Sequence, residues 1–213
     1  MEALHTEVYR GSTINIYPDD DPMNPVENWD MLGTFTCFHR RYDLSCKKNK
    51  IKSPNELRET INKRNVISLP LYLYDHSGIT ISTTPFSCRW DSGQLGNIWC
   101  TIGDARKEFG RKLSSQELET NVYEVFVNEV KSFDDYLRGN CYGFKVEDVC
   151  TDEGEPSEVD SCWGYLGDME YCLDEARGVA NHRIMRRIKS IRTERAVMRA
   201  TGTFGYIPQA AII

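Results

Sequence analysis

The stretch Leu69–Thr83, LPLYLYDHSGITIST, constrains the fold more than any other part of the chain. Leu69–Tyr74 and Ile79–Thr83 are rich in aromatic, leucine and β-branched residues. Between them lies Asp75-His76-Ser77-Gly78, whose glycine tolerates positive φ and whose Asp and Ser make local turn hydrogen bonds. A β-hairpin is predicted, and with it antiparallel pairing. Further strands are predicted at Thr13–Tyr17, at Thr34–Arg40 and over the short GNIWCTI segment. Pro18, Pro22 and Pro25 are expected to keep the intervening Asp/Pro segment free of regular structure.

Helical signals are interspersed with these strands. Ser53 and Pro54 can open a helix over SPNELRETINKRN. Leu118, Val122, Phe126, Val130, Phe133 and Leu137 recur at helical spacing, with Ser114 or Ser115 as cap and Gly139 as stop. CYGFKVEDVCTDEGEPSEVDSCWGYLG predicts a hairpin with a long acidic loop. A last helix is expected from about Asp168 to Met198, with Cys172, Leu173, Ala176, Ala180, Ile184, Ile188 and Ile191 on one side. The apolar tail TGTFGYIPQAAII is expected to dock or fray. No regular βαβ repeat occurs, so the fold class is α+β: a mainly antiparallel sheet with hairpins, one amphipathic helix packed on it, and a long C-terminal helix. One domain is expected over 1–213, with 168–213 a helix and tail able to dock separately.

A chain of 213 residues, 40% hydrophobic and 27% charged, can bury a core without metal or disulfide. It has no apolar run of transmembrane length and no basic-then-apolar start, so neither a membrane partner nor secretion is expected. The eight cysteines are accordingly expected to be reduced, mostly as small buried hydrophobes, in a cytoplasmic protein.

No convincing catalytic set emerges. Asp75-His76-Ser77 has the residue types of a catalytic triad, but neighbours in sequence point apart, and turn chemistry explains all three. Cys88 has His76 or His39 as conceivable bases, yet it sits between Phe86 and Trp90 in what reads as packed structure. In WDSGQ the glycine that would precede a nucleophilic serine is missing. The Asp19-Asp20-Asp21 turn, with Asn24 and Asp30, partly matches a calcium loop, but position six is Asn24 instead of glycine and prolines interrupt it. Cys37, His39 and Cys46 are spaced C-x-H-x6-C. On a strand, Cys37 and His39 would share a face, and His76 or Cys88 could complete a zinc site. The absence of any C-x-x-C pair opposes it, so no cofactor is implied and zinc is the metal the pattern would admit.

Three candidate binding surfaces stand out on composition. Trp90, Asp91 and Gln94 combine an aromatic with polar groups, as interface anchors do. The charge is also segregated. Val146–Ala176 holds eleven acidic residues and no Lys or Arg, whereas Arg177–Arg199 holds eight basic residues and one acid. Glu153, Glu155, Glu158 and Asp160 could therefore meet a positively charged groove, as a nucleic-acid mimic would. Arg183, Arg186, Arg187, Lys189, Arg192 and Arg195 could track phosphates, or pair with the chain's own acidic block.

The strings DPMNPVENWDMLGTF, FHRRYDL, LPLYLYDHSGITIST, PFSCRWDSGQLG and DSCWGYLG, in that order over Asp19–Gly167, resemble a family of uncharacterised accessory proteins of bacteriophages and other mobile elements. The resemblance implies a setting, the bacterial host cytoplasm, and no activity. Within it the leading expectation is a non-enzymatic inhibitor of a host defence protein or ribonucleoprotein, a CRISPR effector or restriction nuclease, acting by occlusion. The alternatives are a metal-dependent hydrolase or nuclease using Cys37, His39, His76 and the Asp19–Asp21 turn, and a nucleic-acid-binding accessory protein using the basic helix.

Overall fold

Among the described residues, eight strands form two antiparallel sheets, and each sheet carries its own long helix. The computed structural model describes residues 1–148 and 157–201. Contacts divide the chain into two units: a split unit, Met1–Asp20 with Cys141 onward, and a nested unit, Asp21–Asn140. The α+β class read from the sequence is the class observed. Among the described residues no helix is long and apolar enough to cross a membrane.

The split unit has strand order β1-β2-β7-β8. β1 (His5–Tyr9) and β2 (Ser12–Pro18) are joined by Arg10 and Gly11, at φ 50° and 81°. Positive φ at both positions matches the twist of a two-residue hairpin. β2 pairs with β7 (Cys141–Asp148), and β7 with β8 (Ser157–Leu166). Alternation along β2 and β7 buries Ile14, Ile16, Phe144 and Val146 on one face. The helix α5 (Met169–Thr201) covers that face with Cys172, Leu173, Ala176 and Ala180. A Cβ on Gly143 would fall 2.1 Å from the ring of Trp163, so glycine there lets the indole lie across β7.

The nested unit contains α1 (Pro25–Asn28), β3 (Thr34–Cys37), α2 (Pro54–Ile61), β4 (Val66–Asp75), β5 (Ile79–Ser82), β6 (Ser92–Thr101), α3 (Ile102–Phe109) and α4 (Ser115–Leu137). Its strand order is β3-β6-β4-β5. The predicted hairpin is β4–β5, with Asp75 opposite Ile79. α4 lays Leu118, Val122, Phe126, Val130 and Phe133 on a core that includes Phe35, Leu71, Ile81 and Ile98. Phe35 meets Phe133 edge to face, centroids 5.5 Å apart. Ser114 and Glu117 form a reciprocal capping box at the start of α4. Two α4 carboxylates tie neighbouring segments: Glu129 accepts from the Leu32 and Gly33 N–H groups at 2.6 and 2.9 Å, and Asp134 from the Ile81 N–H at 2.7 Å. At Gly96 a Cβ would sit 2.0 Å from the Thr36 carbonyl oxygen, so β3 and β6 approach closely only because that residue is glycine.

Two expectations need correction, and a third is sharpened. The strand predicted for Thr34–Arg40 ends at Cys37, so His39 lies beyond it. The Pro-rich segment does hold a short helix: Pro25 stands at its first turn and the Asn24 side chain accepts from the Val26 N–H. The apolar side of the last helix is buried through Ala180, but Ile184 and Ile191 are only half-buried and Ile188 is exposed. The acidic loop between β7 and β8 and the apolar tail fall at 149–156 and 202–213, outside the described residues.

Candidate functional site

One end of the nested sheet gathers several of the side chains that the sequence singled out. It is formed by the β4–β5 turn, the loop 83–91 between β5 and β6, and the segment that follows β3. The strands fix their positions: β4 ends at Asp75 where β6 begins, and the Asp75 N–H donates to the Asp91 carbonyl at 2.8 Å. The turn is tight because Ser77 and Gly78 take φ 56° and 152°.

Asp75 anchors the cluster. Its carboxylate pairs with Arg41 and accepts from the Tyr42 hydroxyl at 3.3 Å. The His39 ring stacks on Tyr42, centroids 5.1 Å apart and nearly parallel, and the Arg41 guanidinium lies 5.5 Å from the same ring. On the other side of the turn, His76 Nδ1 is 3.3 Å from Asp91 Oδ2, and the Cys88 thiol donates to that oxygen at 3.7 Å. The Ser92 hydroxyl closes the loop base by donating to the Cys88 carbonyl. Tyr74 lies between His76 and Phe86, with centroids at 6.0 and 5.7 Å. Beside this tied base, Trp90 is 95% exposed, Gln94 is exposed, and Asp91 is half-buried.

The chemistry follows from the order of the groups. A nucleophilic thiol needs a base that accepts its proton. Here the Asp91 carboxylate stands between Cys88 and His76, so the thiol donates to the carboxylate and not to the imidazole. Asp75, His76 and Ser77 do not converge either, since Asp75 is committed to Arg41 and Tyr42 while His76 turns to Asp91. The cluster is thus a set of ties that hold a loop, with an indole presented to solvent.

Of the proposed zinc ligands, Cys37 and Cys46 lie near each other, while His39 and His76 face other groups. Cys37 and Cys46 are buried. Burial pushes the Cys37 thiol far above its usual range, with Cys46 and Asp43 adding to the effect. His39 Nδ1 accepts from the Arg41 N–H at 3.4 Å, and His76 faces Asp91. Among the described residues no three His, Cys, Asp or Glu side chains are arranged to hold a metal ion.

Among the described residues, the charge blocks pair with each other only in part. Arg177 forms a bidentate pair with Glu7 at 2.8 and 2.9 Å and also meets Glu170 and Asp174. That guanidinium holds the Glu7 carboxyl below its usual value. Arg183 pairs with Asp148. Arg186, Arg187, Lys189, Arg192 and Arg195 are exposed and make no ion pair with any described residue. Asp160 is exposed on β8, and Glu158 stands opposite Glu147 in the β7–β8 register. Glu153 and Glu155 lie outside the described residues.

Sequence reasoning missed Arg41 and Tyr42. Their signal was the basic-aromatic run HRRY just past a strand, but their partner Asp75 is more than thirty residues away, and only the fold brings the two together. No family model matches the chain, and neither a curated protein nor a solved structure does.

Proposed function

We propose that this chain is a non-enzymatic binding protein that docks a protein partner through the loop end of the nested sheet, with Trp90 as its anchor. In the mobile-element setting that the sequence resemblance implies, the partner is a host defence protein, a CRISPR effector or restriction nuclease, blocked by occlusion. The observation that carries this reading is the indole of Trp90, 95% exposed on a loop whose base is tied by Asp91, His76 and Ser92. A large apolar ring left in water contributes nothing to the chain's own core. Presented on a held loop, it loses little conformational freedom on docking. Trp is also among the residues that most often dominate interface energetics, where truncation costs about 2 kcal/mol or more, roughly thirty-fold in affinity.

The test is protection in vivo. A host carrying an active CRISPR or restriction system, expressing this chain, should accept targeted phage or plasmid at elevated frequency. Trp90→Ala should remove most of that protection while leaving thermal unfolding unchanged. Failure to protect against either class of system, or full protection by Trp90→Ala, would overturn the proposal.

A further inference from the structure

We propose a second binding surface, independent of the loop end: the distal half of α5, Arg186–Arg199, is a duplex-DNA-binding helix that sits in a major groove and takes phosphates from both sides.

The first support is what the proximal half of α5 already does. There, Cys172, Leu173, Ala176 and Ala180 are buried, and the basic residues Arg177 and Arg183 are committed to Glu7, Glu170, Asp174 and Asp148. Beyond Arg183 that pattern stops. Arg186, Arg187, Lys189, Arg192, Arg195 and Arg199 are exposed, and none has an ion-pair partner among the described residues. One acid, Glu194, lies among them, and the Ser190 hydroxyl donates to it.

The second support is how those charges are distributed. At about 3.6 residues per turn, Arg187, Arg195, Arg199, Arg192, Lys189 and Arg186 follow one another around nearly the whole circumference. A helix lying on an anionic membrane needs one continuous apolar face. Here Ile184, Ile188, Ile191 and Met198 form a narrow stripe, and Arg195 falls in the middle of it. Charges on all sides suit a groove with phosphates on both walls. The major groove of B-form DNA is wide enough to admit a helix, whereas that of duplex RNA is deep and narrow. Of the six cations without an ion-pair partner among the described residues, five are arginine, whose planar fork matches phosphate oxygens.

The third support is local. Arg186, Lys189, Arg192 and Arg195 succeed one another at i,i+3, a spacing at which like charges repel along a helix. Phosphates would relieve that repulsion, so binding should make the helix more stable.

A fluorescein-labelled DNA duplex two helical turns long, of arbitrary sequence, tests this by anisotropy with the full chain. We expect binding at low salt that weakens linearly on a log–log plot against salt, with a slope of about −0.9 per phosphate neutralised. Helical circular dichroism should rise on adding the duplex. The triple change Arg186→Glu, Arg187→Glu and Arg192→Glu should weaken binding at least tenfold and flatten the salt slope, without altering thermal unfolding. Lys112→Glu, an exposed charge in the nested unit, and Trp90→Ala should each bind DNA within about twofold of the parent. The proposal is overturned if no duplex binding is seen at about 50 mM salt, or if the triple variant binds like the parent. It is also overturned if duplex RNA or phosphatidylglycerol vesicles are bound in preference to DNA.

Discussion

Both units lay one long helix on a four-stranded antiparallel sheet, yet they use the helix differently. α4 has 23 residues and buries Leu118, Val122, Phe126, Val130 and Phe133, contacts that run almost from end to end. α5 has 33 residues and buries Cys172, Leu173, Ala176 and Ala180, all within its first twelve positions. α4 anchors with large side chains. α5 approaches its sheet mostly with small ones, Leu173 excepted, and then continues past them. A helix's length in sequence is therefore not its docking length: the first depends on local propensity, and the second on how far the opposing surface extends.

The sharpest way to break this comparison is in the cores. Phe126→Ala in α4 should cost about 3–5 kcal/mol of stability, and Leu173→Ala in α5 about 2–5 kcal/mol. Ile188→Ala, farther along the same apolar stripe, should stay within about 0.5 kcal/mol. Urea unfolding with amide-exchange readout by unit measures all three. A large loss at Ile188 would mean that the distal half of α5 is covered and that the two helices are alike. Next in size is the cap: Ser114→Ala removes one half of the capping box and should cost about 1 kcal/mol, seen as faster exchange in the first turn of α4.

The smallest effect separates the units by pH. Glu7 in the split unit has its carboxyl lowered below 4.5 by Arg177, so its contribution is fully present above that value and is lost as pH falls through the folded-state value. Glu129 in the nested unit is raised above 4.5, mainly by desolvation. Its folded form binds the proton more tightly than the unfolded chain, so its contribution declines as pH rises from about 4.5 through the raised value. The stability gap between parent and Glu7→Gln should widen with rising pH, and the gap between parent and Glu129→Gln should narrow. Slopes of the same sign would remove this distinction between the units.

What the sequence made legible follows the same line. α4 could be read because apolar spacing, Ser114 and Gly139 all agree, and β4–β5 because alternation and turn residues coincide. β1 went unread: it is a five-residue edge strand with no buried position, so its alternation carries little hydrophobic contrast. α3 also went unread, although Thr101 and Asp104 mark its start, Thr101 accepting from the Asp104 N–H at 3.1 Å. The stripe Cys172–Ile191 was legible as a helix face, but the point at which burial stops was not, because it depends on the width of a sheet formed by distant strands. The candidate site divides in the same way. Trp90 could be picked out as a loop aromatic, whereas the Arg41–Asp75 and His76–Asp91 ties join segments far apart in the chain.

The nesting of one unit within the other has a consequence for the order of events during synthesis. Pro18 at the end of β2 pairs with Tyr142 in β7, and the Asp19 N–H donates to the Cys141 carbonyl at 2.9 Å. Everything from 21 to 140 therefore departs from and returns to one antiparallel junction, where a hairpin loop would otherwise stand. β2 has no β7 to pair with until that whole segment has left the ribosome, whereas the nested unit is contiguous and can form as it emerges. Joining β2 to β7 across an unfolded insert carries a closure entropy that grows with the logarithm of its length. A folded insert, whose ends already lie close together, removes most of that cost. Weakening the nested core at Phe126 should therefore also slow assembly of a sheet to which Phe126 does not belong.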